Sequence, residues 1–392
     1  MKTRIYQARK LRGWTSAQLN QELREAATRL GLTVSTPASL RVQISGWENG
    51  HHDPDSTHRT LLQEAFDLPA EALGFDNITH DELTGSPLPG FVERDAFKNE
   101  ISDELLAYFG DQLAVHVRAD NAVGPAFVLT TTNIQLQQLN ALAASSSSRE
   151  LNLLTARYSE FAGWLLQDCG DNVNALCRTD RAVELAEANG DLELTTYNLM
   201  RKSNILTSLR ESQRATVVAH KAVVLAEREA PSLLPVCLRQ YALTQSYLRR
   251  EHTARSALQR ALELSEPAMD TGNELSPYCT TSYVQMEAAL CLLALSNPAA
   301  AATACETAVE RWPAAAGLIR DESLCLARLA VTRSQLRQVD EACHAIQRAV
   351  ELVKRAPSVR VIHMLRLAAR KLEPFRGLRT VQEASQALTE VT

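Results

Sequence analysis

The sequence predicts an all-α protein in two parts, a compact N-terminal head of short helices and a long C-terminal array of paired helices. Three observations carry this. Ala and Leu are abundant while aromatic residues make up only 5% of the chain, a mixture that packs as helices more readily than as sheets. At 392 residues the chain exceeds what one ordinary core serves, so more than one domain is expected. In the later part, small residues recur at a fixed three-point spacing, the mark of stacked helical hairpins.

Residues 1–75 read as the head. Ile5, Ala8 and Leu11 fall at helical spacing, and Gly13 ends the first helix. Thr15-x-x-Gln18 is a capping-box pattern, after which Leu19, Leu23, Ala26, Ala27 and Leu30 share one face up to Gly31. A third helix is expected over about Ala38–Asn49, with Leu40, Ile44 and Trp47 buried and Gly50 as its stop. Asp53-Pro54-Asp55 opens a fourth, whose Leu61, Leu62, Ala65 and Phe66 close the core, and residues 68–75 form a last helical turn. Five short helical pieces with a polar-faced third one make the layout of a helix-turn-helix head.

The block Ile44-Ser-Gly-Trp-Glu-Asn-Gly50, with Pro54 and Leu61-Leu62 after it, resembles the xenobiotic-response-element (Cro/repressor-like) family. The chain is similar to an actinobacterial branch in which such a head precedes a tetratricopeptide array. Arg157-Tyr-Ser-Glu-Phe-Ala-Gly-Trp-Leu-Leu-Gln-Asp168 and Leu199-Met-Arg-Lys-Ser-Asn-Ile205 extend the similarity over nearly the whole chain. The resemblance implies a DNA-binding regulator. Two departures stand out: Trp14 and Trp47 are 33 residues apart, about a dozen more than in compact members, and Gly46 stands where many relatives place Arg.

A third helix in the major groove would expose Ser39, Arg41, Val42, Gln43 and Ser45. Arg41 and Gln43 are the base-reading candidates, because Arg pairs bidentately with guanine and Gln with adenine. Thr15, Ser16 and Gln18 at a helix N-terminus, with Lys10, Arg12, His51 and Arg59, are phosphate-contact candidates that fix register. The competing reading of each is a solvated surface residue, whereas Trp47 reads as a core anchor. Charge agrees only mildly: residues 1–75 carry a net +1 and the remainder −6, so any DNA footprint is local.

Residues 76–150 read as a hinge and connector. Gly85-Ser-Pro-Leu-Pro-Gly90 is the hinge; one helix is expected from about 97 to 118 and another from Gly124-Pro125 to Ser145–Ser148. Such helices either cap the array or pair two subunits. Residues 151–392 read as a tetratricopeptide-like repeat domain, in which one small residue on the first helix meets two on the second. The spacing n, n+12, n+19 is filled by Gly163/Ala175/Ala182, Ser203/Ala215/Ala222, Ala242/Ala254/Ala261, Ala289/Ala301/Ala308 and Ala330/Ala342/Ala349. A helical pair at about 358–373 and 377–390 reads as the cap after these five hairpins.

First helices line the groove of such an array. The lining offsets supply Arg157, Glu160, Trp164, Gln167 and Asp168, then Tyr197, Met200, Asn204 and Ser208, then Arg239, Tyr247, Tyr283 and Met286. This mixture suits a peptide or small amphiphilic effector, or a protein partner. The competing reading of Trp164, Tyr197 and Met200 is packing between repeats.

Catalytic signatures such as a phosphate-cradling Gly loop, HExxH and GxSxG are missing, no metal or cofactor is implied, and the reading is non-enzymatic. Eight cysteines without CxxC spacing read as reduced structural thiols. No signal peptide or membrane span is expected, which places the protein in the cytoplasm. The sum is a homodimeric regulator of double-stranded DNA that responds to a ligand. The alternative is an interaction scaffold or inhibitor whose head does not bind DNA.

Overall fold

The computed structural model describes residues 3–30, 36–49, 54–66, 68, 70–75, 101–145, 148–265, 275–313 and 318–391. The chain divides into two compact units, residues 1–94 and 95–392. All regular elements among the described residues are helical.

The first unit holds α1 (Arg4–Leu11), α2 (Ser16–Leu30), α3 (Pro37–Asn49), α4 (Ser56–Phe66) and a 3-10 turn, Ala70–Leu73. The expected capping box forms: Gln18 N–H donates to Thr15 Oγ1 at 3.2 Å and Thr15 N–H to Gln18 Oε1 at 2.7 Å. The core gathers Ile5, Leu19, Leu23, Leu40, Ile44, Trp47, Leu61, Leu62 and Phe66. Leu11 and Leu30 are exceptions, 51% and 42% exposed: each ends its helix, past the last turn that touches the core. An ion pair that periodicity does not announce crosses this core. Arg9 Nη2 donates to Glu48 Oε2 at 2.8 Å, both side chains are buried, and Arg9 Nη1 donates to the Trp14 carbonyl at 2.8 Å.

The second unit begins with α5 (Asp103–Val123) and α6 (Pro125–Ser145). The first starts later than the hydrophobic pattern implied, because Ser102 caps it by accepting the Leu105 N–H. These two helices share a hydrophobic cluster with the next, α7 (Arg149–Asp168). The Tyr158 hydroxyl of α7 lies 2.8 Å from the Phe109 carbonyl and 2.9 Å from Gln135 Oε1, so they cap the array's first hairpin.

Four further first helices follow α7, namely α9 (Leu192–Ser208), α11 (Leu234–Tyr247), α13 (Thr281–Ala294) and α15 (Ile319–Gln335). Their partners are α8 (Asn172–Ala188), α10 (Ser212–Glu229), α12 (Glu251–Leu264), α14 (Pro298–Glu310) and α16 (Val339–Arg355), and α17 (Val359–Leu372) and α18 (Arg379–Thr389) end the array. The alanines and Ser203 of the five triplets are all fully buried. The reason is geometric: a Cβ at Gly163 would stand 2.6 Å from Thr179 Oγ1 and 3.1 Å from the Ala175 carbonyl oxygen. In the second hairpin the gap admits a hydroxyl, and Ser203 Oγ donates to the Ala215 carbonyl at 2.9 Å.

Each first helix ends in a left-handed residue seven positions after its small residue. These are Gly170, Arg210, Arg249, Ser296 and Arg337, with φ of 91°, 61°, 59°, 63° and 59°. The following N–H reaches back five residues, as Glu211 to Leu206 at 2.9 Å and Gln338 to Arg333 at 3.0 Å, which satisfies a terminal carbonyl. This shared turn sets each second helix antiparallel to its first. All eight cysteines are free, six of them buried. No helix among the described residues is long and apolar enough to cross a membrane.

Candidate functional site

The five first helices form an inner layer, shown by a chain of side-chain bonds from one to the next. Arg201 of α9 donates to Glu160 Oε1 and Gln167 Oε1 of α7 at 3.1 and 2.9 Å. Gln167 donates to Asn204 Oδ1 at 2.7 Å, and Asn204 to Gln240 Oε1 of α11 at 3.1 Å. Arg239 donates to Gln240 Oε1 at 3.0 Å and to Glu287 Oε2 of α13 at 3.3 Å. Arg328 of α15 pairs with Glu287 Oε1 at 2.7 Å and donates to the Met286 carbonyl at 2.9 Å.

An aromatic wall lies beside this polar line. The Tyr197 and Tyr278 hydroxyls are 3.4 Å apart, the Tyr278 and Tyr283 rings meet edge to face at 5.0 Å, and Arg239 lies 5.4 Å from the Tyr283 ring centre. Burial holds these phenols neutral, Tyr278 pushed up to about 12 and Tyr197 and Tyr283 well above their ordinary value. Burial opposes the charge of Glu287, yet Arg328 and Arg239 hold it below the usual carboxylate range. Glu160 goes the other way: burial raises it more than Arg201 lowers it.

The structure therefore gathers Glu160, Trp164, Gln167, Tyr197, Met200, Asn204, Arg239 and Tyr283 on one interlocked inner face. Gln167, Tyr197, Met200, Arg239 and Tyr283 are buried there against their neighbours. Ser208 Oγ accepts a bond from Gln167 at 3.3 Å. Arg157 is exposed, and Tyr247 is 42% exposed at the end of α11. Reading by lining offsets missed the residue two places before the small one in the last four hairpins. That position supplies Arg201, Gln240, Glu287 and Arg328, polar side chains recurring at one register inside helices that are otherwise buried. A separate cavity of about 420 Å³ lies between α14, α15 and α16, with Val309, Leu326, Leu329 and Ala345 in its lining and Glu310, Glu341, His344 and Arg348 among its polar groups.

On the head, α3 exposes Ser39, Arg41, Val42 and Ser45. Gln43 is half-buried, and its Oε1 is fully buried without a hydrogen-bond partner among the described residues, so it does not share their open face. Ser16 and Gln18 are exposed, but the Gln18 amide is used in the capping box. Lys10 is exposed 5.8 Å from the Tyr6 ring centre. Arg12 is bonded to the Phe66 carbonyl and Arg59 Nε donates to the Pro54 carbonyl at 2.9 Å. His51 and the 76–90 hinge lie outside the described residues.

No family model matches the chain, and no curated protein matches it. Among solved structures it is similar to a Rap protein complexed with competence and sporulation factor, at a TM-score of 0.50 and 13% identity, over 76% of this chain and 88% of that one. The array is a tetratricopeptide-like α-solenoid. Its hairpins are longer than the usual repeat of about 34 residues, with successive small residues 40, 39, 47 and 41 apart.

Proposed function

We propose that the chain is a DNA-binding transcriptional regulator whose helical array senses a peptide, a small molecule or a protein partner. The observation that carries the sensing half is the inner face, where Arg, Gln and Asn side chains run alongside Tyr197, Tyr278 and Tyr283 over five successive hairpins. Amide groups such as those of Gln167 and Asn204 match the donor and acceptor of a peptide bond. The similar Rap protein was solved with a bound factor, which supports the same use of this solenoid.

The head supplies the output. The open face of α3 presents Arg41 among small polar residues, a helix that fits a major groove. Two heads in a homodimer would read paired half-sites, since one small head makes few base contacts. Effector binding then changes DNA affinity by as much as the effector prefers one of the two states.

Selection of random duplexes by the purified protein, followed by titration of the winner at two salt concentrations, tests this. An enriched motif whose binding weakens steeply with salt is expected. Arg41→Ala is expected to lose about 1–3 kcal/mol and relax preference at one base position; unchanged affinity and preference remove Arg41 from the reading surface. One observation favours the scaffold alternative: Arg12 and Arg59 are already bonded to carbonyls of the head, and Gly46 adds no charge. That alternative is established if no duplex is enriched, with or without cell extract.

A further inference from the structure

The first and last helices of the array meet at four buried or half-buried charges. Asp120, near the end of α5, accepts both Nη groups of Arg320 at the start of α15, at 2.7 and 2.9 Å. It also accepts the Trp164 indole N–H at 3.1 Å. Fully buried Asp168, at the end of α7, accepts from Arg360 Nε at 2.8 Å and Ser358 Oγ at 3.1 Å, and lies 3.4 Å from Arg320 Nη1. The partners are separated by 190–200 residues in sequence, so this cluster closes the array on itself.

Stability alone gives no account of it. Desolvating such charges offsets most of their attraction, and apolar groups of the same volume serve a core as well or better. What the geometry does fit is a carboxylate. A bidentate guanidinium and an indole N–H converge on one oxyanion position, and the Nε of Arg320 is buried with no hydrogen-bond partner among the described residues. Without Asp120, both Nη groups of Arg320 and the Trp164 indole N–H would lose the carboxylate that they share.

The present occupant comes from a helix that precedes the five hairpins. Asp120 belongs to α5, the first helix described after the head, and α5 ends at Gly124, whose φ of 91° and ψ of 162° suit glycine alone. A Cβ there would lie 3.7 Å from Pro357, so the end of α5 rests on the loop before α17 through contacts that involve no interlocking side chain of Gly124.

We propose that Arg320 and Trp164, backed by Arg360, form a carboxylate seat in which Asp120 is the resident occupant. A signal ligand bearing a carboxylate takes its place and frees the end of α5. This rests on the reading of the array as a sensor. It assigns that sensor's ligand an acidic group and couples occupancy to the helix on the head side of the array.

The test uses the full chain with Asp120→Ala, which vacates the seat, and sodium acetate as the probe. Acetamide and sodium chloride at equal concentration are the controls. Acetate is expected to raise the variant's melting midpoint by about 2–4 °C and to return Trp164 emission, isolated by subtracting Trp164→Phe, toward that of the unaltered protein. Adding Arg320→Met is expected to abolish both effects. Where Asp120→Ala does not fold in chloride, refolding in acetate against chloride makes the same comparison. Equal behaviour in acetate and chloride overturns the seat. In the unaltered protein, molar acetate is expected to speed hydrogen exchange over residues 103–123 relative to molar chloride; no difference overturns displacement. None of these readouts involves DNA or a peptide, so failure here leaves the regulator reading standing, and failure of duplex selection leaves the seat standing.

Discussion

Arg210, Arg249, Ser296 and Arg337 hold left-handed backbone where glycine would be relaxed. A non-glycine residue there costs about 1–2 kcal/mol, partly recovered because glycine is more disordered when unfolded. Arg337 is exposed, and no hydrogen bond holds its side chain among the described residues, so Arg337→Gly is expected to stabilise the array by about 0.5–1 kcal/mol, read from denaturant midpoints. A loss of stability would sink the strain argument. Asp321 makes a second case. Burial pushes its carboxyl up to about 6, against the pull of Arg360, while an unfolded aspartate titrates near 3.9. The folded state therefore binds the proton more tightly, and this contribution is complete below about 3.9 and lost as pH rises through about 6. Asp321→Asn is expected to remove that decline, and parallel pH–stability curves for the two proteins would contradict it. At this scale the sequence shows the small-residue triplets plainly, because only small side chains fit where helices touch. It hides Arg201, Glu287 and Arg328, because a charge on a helix reads as solvated until its partner, dozens of residues away, is placed beside it.

Between elements, the head depends on a tie that no periodicity reveals. Glu48 sits in the block that carries the family resemblance, yet its side chain is turned inward onto Arg9 of α1, and the Thr3 N–H donates to the Glu48 carbonyl at 3.2 Å. Glu48→Gln strands a buried guanidinium, a change that costs about 3–5 kcal/mol. The head is expected to lose its cooperative transition in calorimetry while the array's transition stays in place. Element boundaries were legible where caps are written in the chain, as at Thr15-x-x-Gln18. They were less so at α5, where Ile101 continues the apolar pattern one residue before the Ser102 cap. The packing of α5 and α6 on α7 was not legible, since an apolar helix face does not name its partner.

At the scale of the whole molecule, one continuous core runs from α8 and α9 through α18. Val361, Leu365, Leu372, Val381 and Leu388 belong to it, so the last two helices cover apolar surface that each inner hairpin leaves to its neighbour. A chain ending at Arg355 also lacks Ser358 and Arg360, which hold Asp168. It is expected to aggregate at concentrations where the full chain stays monodisperse by light scattering. The small-residue spacing marks where helices touch within each hairpin. The closure of the array on itself could not be read from it, because it depends on small rotations between hairpins that accumulate over five repeats.

In the proposed sensor the bonded chain from Glu160 to Arg328 would also act as a filter on chemistry. A guest entering there must break bonds that the protein already makes, so its net affinity is the difference between two sets of similar strength. A molecule that restores every donor and acceptor loses little. One that leaves a single buried group unanswered forfeits about 1–3 kcal/mol, roughly 5- to 150-fold in occupancy at 25 °C. Grease and size alone are therefore poor credentials at this face. If the face receives a signal, its selectivity would follow the order of its amides and guanidiniums, and even an analogue that differs by one polar atom would be told apart.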